Sequence, residues 1–205
     1  MSSDEHELAA ACAMWQSGRD GGSSRLRGAA RVLTGIPHYF SADFITSHEE
    51  AALNQPDARR HARTLLHAVT ASAARTPAEW KVALHVPRPT FAGRGLAEKP
   101  AEDPQIAEAL ASGQLTMPLW GVSLDEDVAR SFGVVDGRGP RWLFVLDGPV
   151  HGVAAWTHSG VEELQYELIT GGSYAVERVD YNLTHGATVH LRETAPPSLD
   201  LQASS

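Results

Sequence analysis

The periodicity of the chain changes at Thr76-Pro77, and that change limits the folds open to it. Before it, apolar residues recur at helical spacing; after it, they alternate in short runs broken by proline and glycine. Residues 5–15 place Leu8, Cys12 and Trp15 at i, i+4 and i+7, one face of an amphipathic helix. Residues 17–27 are rich in Gly, Ser and Arg and read as a loop, and 28–53 fit either a short helix or a loop anchored by Tyr39, Phe40, Phe44 and Ile45. A second helix is clearer. Asn54 can cap it, Pro56 suits its first turn, and Leu65, Leu66, Val69 and Ala73 form its stripe.

Beyond Pro77 the pattern is mostly extended. Strands are predicted over 80–86 and 90–96, separated by Pro87 and Pro89, and again over 115–122, 142–146, 150–155 and 188–191. Asp103-Pro104 opens a short helix that Gly113 closes. Ser123-Leu-Asp-Glu126 has the form of a capping box and predicts a helix to about Phe132. Helices first and strands later predict an α+β architecture. Residues 1–77 form the N-terminal helical portion of one domain, 78–192 its β-rich core, and 193–205 a disordered tail.

Within the core, residues 164–179 read as a hairpin turning at Thr170-Gly171-Gly172, because glycine takes the positive φ of a primed turn. On a strand Gln165 and Glu167 share one face and Tyr166 takes the other. An amide and a carboxylate presented together can share a substrate; an exposed polar edge would look the same. The loop at 156–164 precedes the pair, with Trp156 either facing a target or in the core.

Composition narrows the function. A chain of 205 residues with 42% hydrophobic content supports one sizeable core. No apolar run approaches the roughly 20 residues of a membrane span. The acidic MSSDEHEL start lacks the basic region of a secretory signal, so a cytoplasmic protein is expected, or one delivered into a target cell by a route this chain does not encode. The single Cys12 excludes an internal disulfide and a cysteine-rich zinc site. A net charge of −8 argues against non-specific grip on nucleic acid, though not against a local pocket. The ten histidines show no metal-ligand spacing, and no metal is expected.

Three pieces, in order, resemble the mono-ADP-ribosyltransferase toxins, in the branch whose motif is Arg, then Ser-Thr-Ser, then Gln/Glu-x-Glu. Phe91-Ala-Gly-Arg94-Gly95-Leu96 is similar to the aromatic-Arg-Gly strand end. Leu119-Trp-Gly-Val-Ser123 through Val128-Ala129 to Phe132 is similar to the Ser-Thr-Ser strand and the helix after it. Gln165-Tyr-Glu167 through Val176 is similar to the Gln-x-Glu strand with its glycines. The resemblance spans roughly residues 80–192 and implies a split β-sandwich with an N-terminal helical portion.

It also implies NAD as substrate, cleavage of the nicotinamide–ribose bond, and transfer of ADP-ribose to a macromolecule. Glu167 would stabilise positive charge on the ribose, Arg94 would hold the pyrophosphate, and Gly95 would let the backbone approach the nicotinamide amide. Arg88 is a rival for the arginine role but lacks the following glycine. Trp120 and Ser123 would lie in the NAD site, although a helix cap alone explains Ser123. Gln165 would orient the acceptor. Because arginine-modifying members usually carry glutamate there, the expected acceptor is another protein side chain or a guanine base. A monomeric toxin, effector or phage-type host-modifying enzyme is expected, with no membrane partner.

The chain departs from the family at Gly121, which stands where the first motif serine would steady the glutamate. The missing hydroxyl leaves open slower chemistry, help from a nearby group, or a site that no longer turns over. Alternatives on the same fold are an NAD glycohydrolase and an inactive binding module.

Overall fold

Helix α1 (Ser3–Gln16) begins where its first turn can be satisfied. Ser2 caps it: the Ser2 hydroxyl accepts from the Glu5 amide at 3.2 Å while the Glu5 carboxylate accepts from the Ser2 amide at 2.6 Å. Its buried face is Ala11, Cys12 and Trp15, with Leu8 packed alongside. The computed structural model describes residues 2–17, 22–35, 55–76, 79, 85–87, 110–132, 142–159, 166–182 and 186–199.

Helix α2 (Gly22–Thr34) occupies what the composition reads as a loop. Its Gly, Ser and Arg residues are weak or surface-type helix formers, but Leu26, Ala29, Ala30 and Leu33 recur at helical spacing and are buried. Packing, not propensity, makes this helix. Gly22 admits it: a Cβ there would meet the Met14 carbonyl carbon at 2.9 Å.

Helix α3 (Pro56–Ala71) has proline in its first turn, as expected, but its cap position is Gln55, not Asn54, and carries no side-chain cap bond. It buries Ala58, Ala62, Leu65, Leu66 and Val69 and stops at Ala71, ahead of the expected end near Pro77. Beyond it Arg75 bridges to Val150. These three helices pack together and share a core with Leu119, Val153 and Ile169 of the strands and with Ala155 just after β4.

The strands are β1 (His85–Pro87), β2 (Gln114–Ser123), β3 (Trp142–Leu146), β4 (Val153–Ala154), β5 (Glu167–Asn182) and β6 (Gly186–Ala195). Helix α4 (Glu126–Phe132) follows β2. Neighbours run β2-β1-β3-β6-β5-β4, and β2 also pairs with β5, so pairing returns on itself. Among the described strands, only β3 and β6 run parallel. The expected strand at 150–155 is shorter, and continues into a 3-10 turn at Ala155–Thr157. Trp156 is half-buried and packs against the strand core. The expected strands at 80–84 and 90–96 and the start of the helix at 103 lie outside the described residues, although 110–112 are helical and close at Gly113 with φ +69°.

Two expectations about the last third are corrected. Gly171-Gly172 is not a hairpin turn, because β5 runs straight through it. The pair sits opposite a bulge, where β2 fits Pro118 and Leu119 between Met117, partner of Gly172, and Trp120, partner of Thr170. The glycines are there for close approach: a Cβ on Gly171 would lie 3.1 Å from the Pro118 carbonyl carbon. The tail does not begin at Glu193 either. Strand β6 continues to Ala195, the Thr70 hydroxyl donates to the Pro197 carbonyl at 2.7 Å, and Leu199 packs on the helical core. Residues 200–205 lie outside the described residues.

The second core lies between the strands and centres on Tyr174, which is fully buried. The Thr170 hydroxyl donates to the His151 carbonyl at 2.7 Å, so in its 3.2 Å contact with Tyr174 the tyrosine hydroxyl is the donor. The same tyrosine oxygen accepts from the Trp120 indole at 3.3 Å. Burial pushes the phenol well above its usual range, with the Glu193 carboxylate adding to the shift and the Thr170 and Trp120 bonds opposing it. Tyr174→Phe is expected to cost about 1–3 kcal/mol, because it strips a buried donor and acceptor from this network. A urea titration with unchanged m-value checks it.

Candidate functional site

Glu167 is the first residue of β5 and lies across from Ser123, the last residue of β2. The chain enters it through Tyr166 at φ +44°, a left-handed conformation that costs a non-glycine residue about 1–2 kcal/mol. Two contacts hold that kink. The Tyr166 carbonyl accepts from the Leu124 amide at 3.1 Å, and its ring meets Trp156 edge-on with centroids 5.8 Å apart. The regular alternation used to pair Gln165 with Glu167 therefore stops at Glu167. Gln165 itself lies outside the described residues, as do Arg94, Gly95 and Arg88.

Strand alternation decides which neighbours Glu167 has. On β2, Leu119 and Gly121 face the helices, while Trp120 and Val122 face the inner strand core. Glu167 falls on the helix side, with Gly121. Its half-buried carboxylate accepts from the Trp15 indole Nε1 at 2.6 Å. The charge of Arg27, from α2, also reaches it. Burial pulls the Arg27 guanidinium down to about 10, against the pull of the Glu167 carboxylate, so it stays charged at neutral pH.

The predicted site residues thus separate. Ser123 and Glu167 are brought together as cross-strand partners. Ser123 is buried and its hydroxyl accepts from the Asp125 amide at 3.0 Å. It does not cap α4; Asp125 does, accepting from the amides of Asp127 at 2.8 Å and Val128 at 3.3 Å. Trp120 is not in the site. It is 2% exposed, packs at a tilt against Phe144 and Tyr174, and points away from Glu167, so no face is open to a dinucleotide.

Two residues of the site escape a reading of the sequence. Trp15 looks like core because it completes a helical stripe, and Arg27 sits in a segment that reads as a loop. The signal for Trp15 is indirect: glycine at 121 leaves the carboxylate to be steadied by a donor from elsewhere. Arg27→Met is expected to move the acid limb of any Glu167-dependent activity to higher pH. Removing the nearby positive charge disfavours the ionised carboxylate, and a pH–rate profile reads the shift.

Among solved structures, the C3 exoenzyme of Clostridium limosum matches 94% of this chain and 85% of its own length at 12% identity, with a TM-score of 0.50. The ADP-ribosylating toxin BECa of C. perfringens, solved with NADH, matches 93% of this chain at 9% identity and a TM-score of 0.51. The fold is that of the ADP-ribosyltransferase toxins. The chain spans 43% of the length of BECa. No protein-family model matches the sequence, and no curated protein is similar enough to count as a relative. Among the described residues, no three His, Cys, Asp or Glu side chains stand together to hold a metal ion, and no helix is long and apolar enough to cross a membrane.

Proposed function

We propose that the chain is an NAD-dependent mono-ADP-ribosyltransferase that breaks the nicotinamide–ribose bond and passes ADP-ribose to a macromolecule. One observation carries the reading: a carboxylate fixed at the head of β5, accepting from a buried indole and within the electrostatic reach of the Arg27 guanidinium. Positive charge develops on the ribose as nicotinamide leaves, and a preorganised negative group lowers that barrier. A carboxylate already oriented by the protein needs no reorganisation when the charge appears. The fold supports the same reading, and so does the NADH bound to BECa. Ser123 stands beside Glu167 and can contribute through its hydroxyl. Arg94 for the pyrophosphate, Gly95 for the nicotinamide amide and Gln165 for the acceptor complete the assignment, on the motif resemblance alone.

Gln165 sets the acceptor class. A neutral amide orients an amide or a base edge but is a poor base toward a guanidinium, so arginine is not the main acceptor. The test is incubation with NAD labelled in its adenylate half, offered protein, DNA and RNA pools and an arginine analogue separately. The expected result is label in one macromolecular pool, dependent on Glu167, with little on the analogue. Nicotinamide release with no labelled macromolecule would make the chain a glycohydrolase. No NAD binding by calorimetry would make it a binding module.

A further inference from the structure

We propose that Trp15 is the positioning residue for the Glu167 carboxylate, and that residue 121 is glycine so that the carboxylate can come within reach of the indole. The inference rests on the transferase reading for its kinetic consequence, but the contact can be tested without it. The Trp15 Nε1–H donates to Glu167 Oε1 at 2.6 Å, a little shorter than the usual range for a charge-assisted N–H···O bond. Trp15 is 3% exposed and wedged among the helices, so its donor has one place to point. An indole N–H only donates. It therefore favours the ionised carboxylate over the protonated acid, and it cannot draw the proton away.

Gly121 makes room for this pair. A Cβ at 121 would overlap Glu167 Oε1 and lie 3.4 Å from both the carboxyl carbon and Trp15 Nε1. The carboxylate thus occupies the volume that any other side chain at 121 would need. The two features form one device: the β2 strand gives up its side chain, and a residue 152 positions away in the chain supplies the hydrogen bond. Arg27 adds positive charge without replacing that directional contact. The helical portion is in this way part of the site, because α1 reaches the working carboxylate.

The exchange can be reversed by mutation. Trp15→Phe removes the donor and keeps most of the apolar packing. Adding Gly121→Ser offers a hydroxyl from the strand, which the carboxylate can meet once it is no longer held by the indole. Trp15→Phe is expected to lower kcat for nicotinamide release by roughly 10- to 100-fold, with KM for NAD little changed. Trp15→Phe/Gly121→Ser is expected to regain most of that loss at equal folded fraction. In the wild-type chain labelled at its five tryptophans, one indole proton should lie downfield of the others, vanish in Trp15→Phe and move upfield in Glu167→Ala. An unchanged kcat in Trp15→Phe, no gain from the added serine, or a Trp15 indole signal indifferent to Glu167→Ala would overturn the proposal. If the wild type releases no nicotinamide while that signal still responds to Glu167→Ala, the positioning contact stands and the transferase reading falls.

Discussion

Glu167→Gln is expected to slow nicotinamide release from NAD by roughly 10²–10³-fold, which is about 3–4 kcal/mol of barrier. The substitution is close to isosteric, and an amide oxygen can still accept from the Trp15 indole. What disappears is the negative charge, at the atom where the account needs it. The same loss leaves the Arg27 guanidinium without a compensating charge, so a modest fall in stability should accompany the loss of rate. Rate must therefore be compared at equal folded fraction. A KM for NAD that stays within a few-fold while kcat collapses would mark the carboxylate as acting in the transition state and not in binding.

The largest expected effect on the fold comes from Gly172→Ala. This glycine has φ +118°, outside the range a side chain accepts without strain. A Cβ there would collide with the Ala195 carbonyl oxygen and lie 2.9 Å from the Pro196 carbonyl carbon. These are backbone atoms of the segment leaving β6, so nothing flexible can yield. Strain and overpacking together should cost about 3 kcal/mol or more. In a chain of this size that lowers the melting temperature by roughly 6–12 °C. Gly148→Ala is the control. It also has positive φ, at +84°, but no atom lies within 4 Å of its Cβ, so only the conformational cost of about 1–2 kcal/mol applies.

The sequence reveals the elements whose signal is local. The α1 stripe of Leu8, Cys12 and Trp15, the proline start of α3, and strands β2 and β3 follow from spacing alone. The meeting of Ser123 with Glu167 follows from no spacing: the motif resemblance implies one shared site, and the β2–β5 register makes the two cross-strand partners. Features set by distant contacts are hidden. Helix α2 exists because small residues let it pack, although its composition resembles a loop. Gly171-Gly172 has turn chemistry but serves close approach at a bulge, and only the partner strand's Pro118 reveals that. The end of β6 looks too polar to be ordered, yet Glu193 accepts from the His151 amide at 3.0 Å and its carboxylate is buried there. Trp120 illustrates the same limit at the site. A motif position next to Gly121 suggests contact with substrate, but alternation turns its ring to the opposite face.

Nicotinamide release from NAD by the purified wild-type chain and by Glu167→Gln, followed at matched folded fraction and with the acceptor pools present, tests the central claim most directly. The account predicts release by the wild type and its near-complete loss in the variant. Equal release by both, or none by the wild type with any pool, would contradict it.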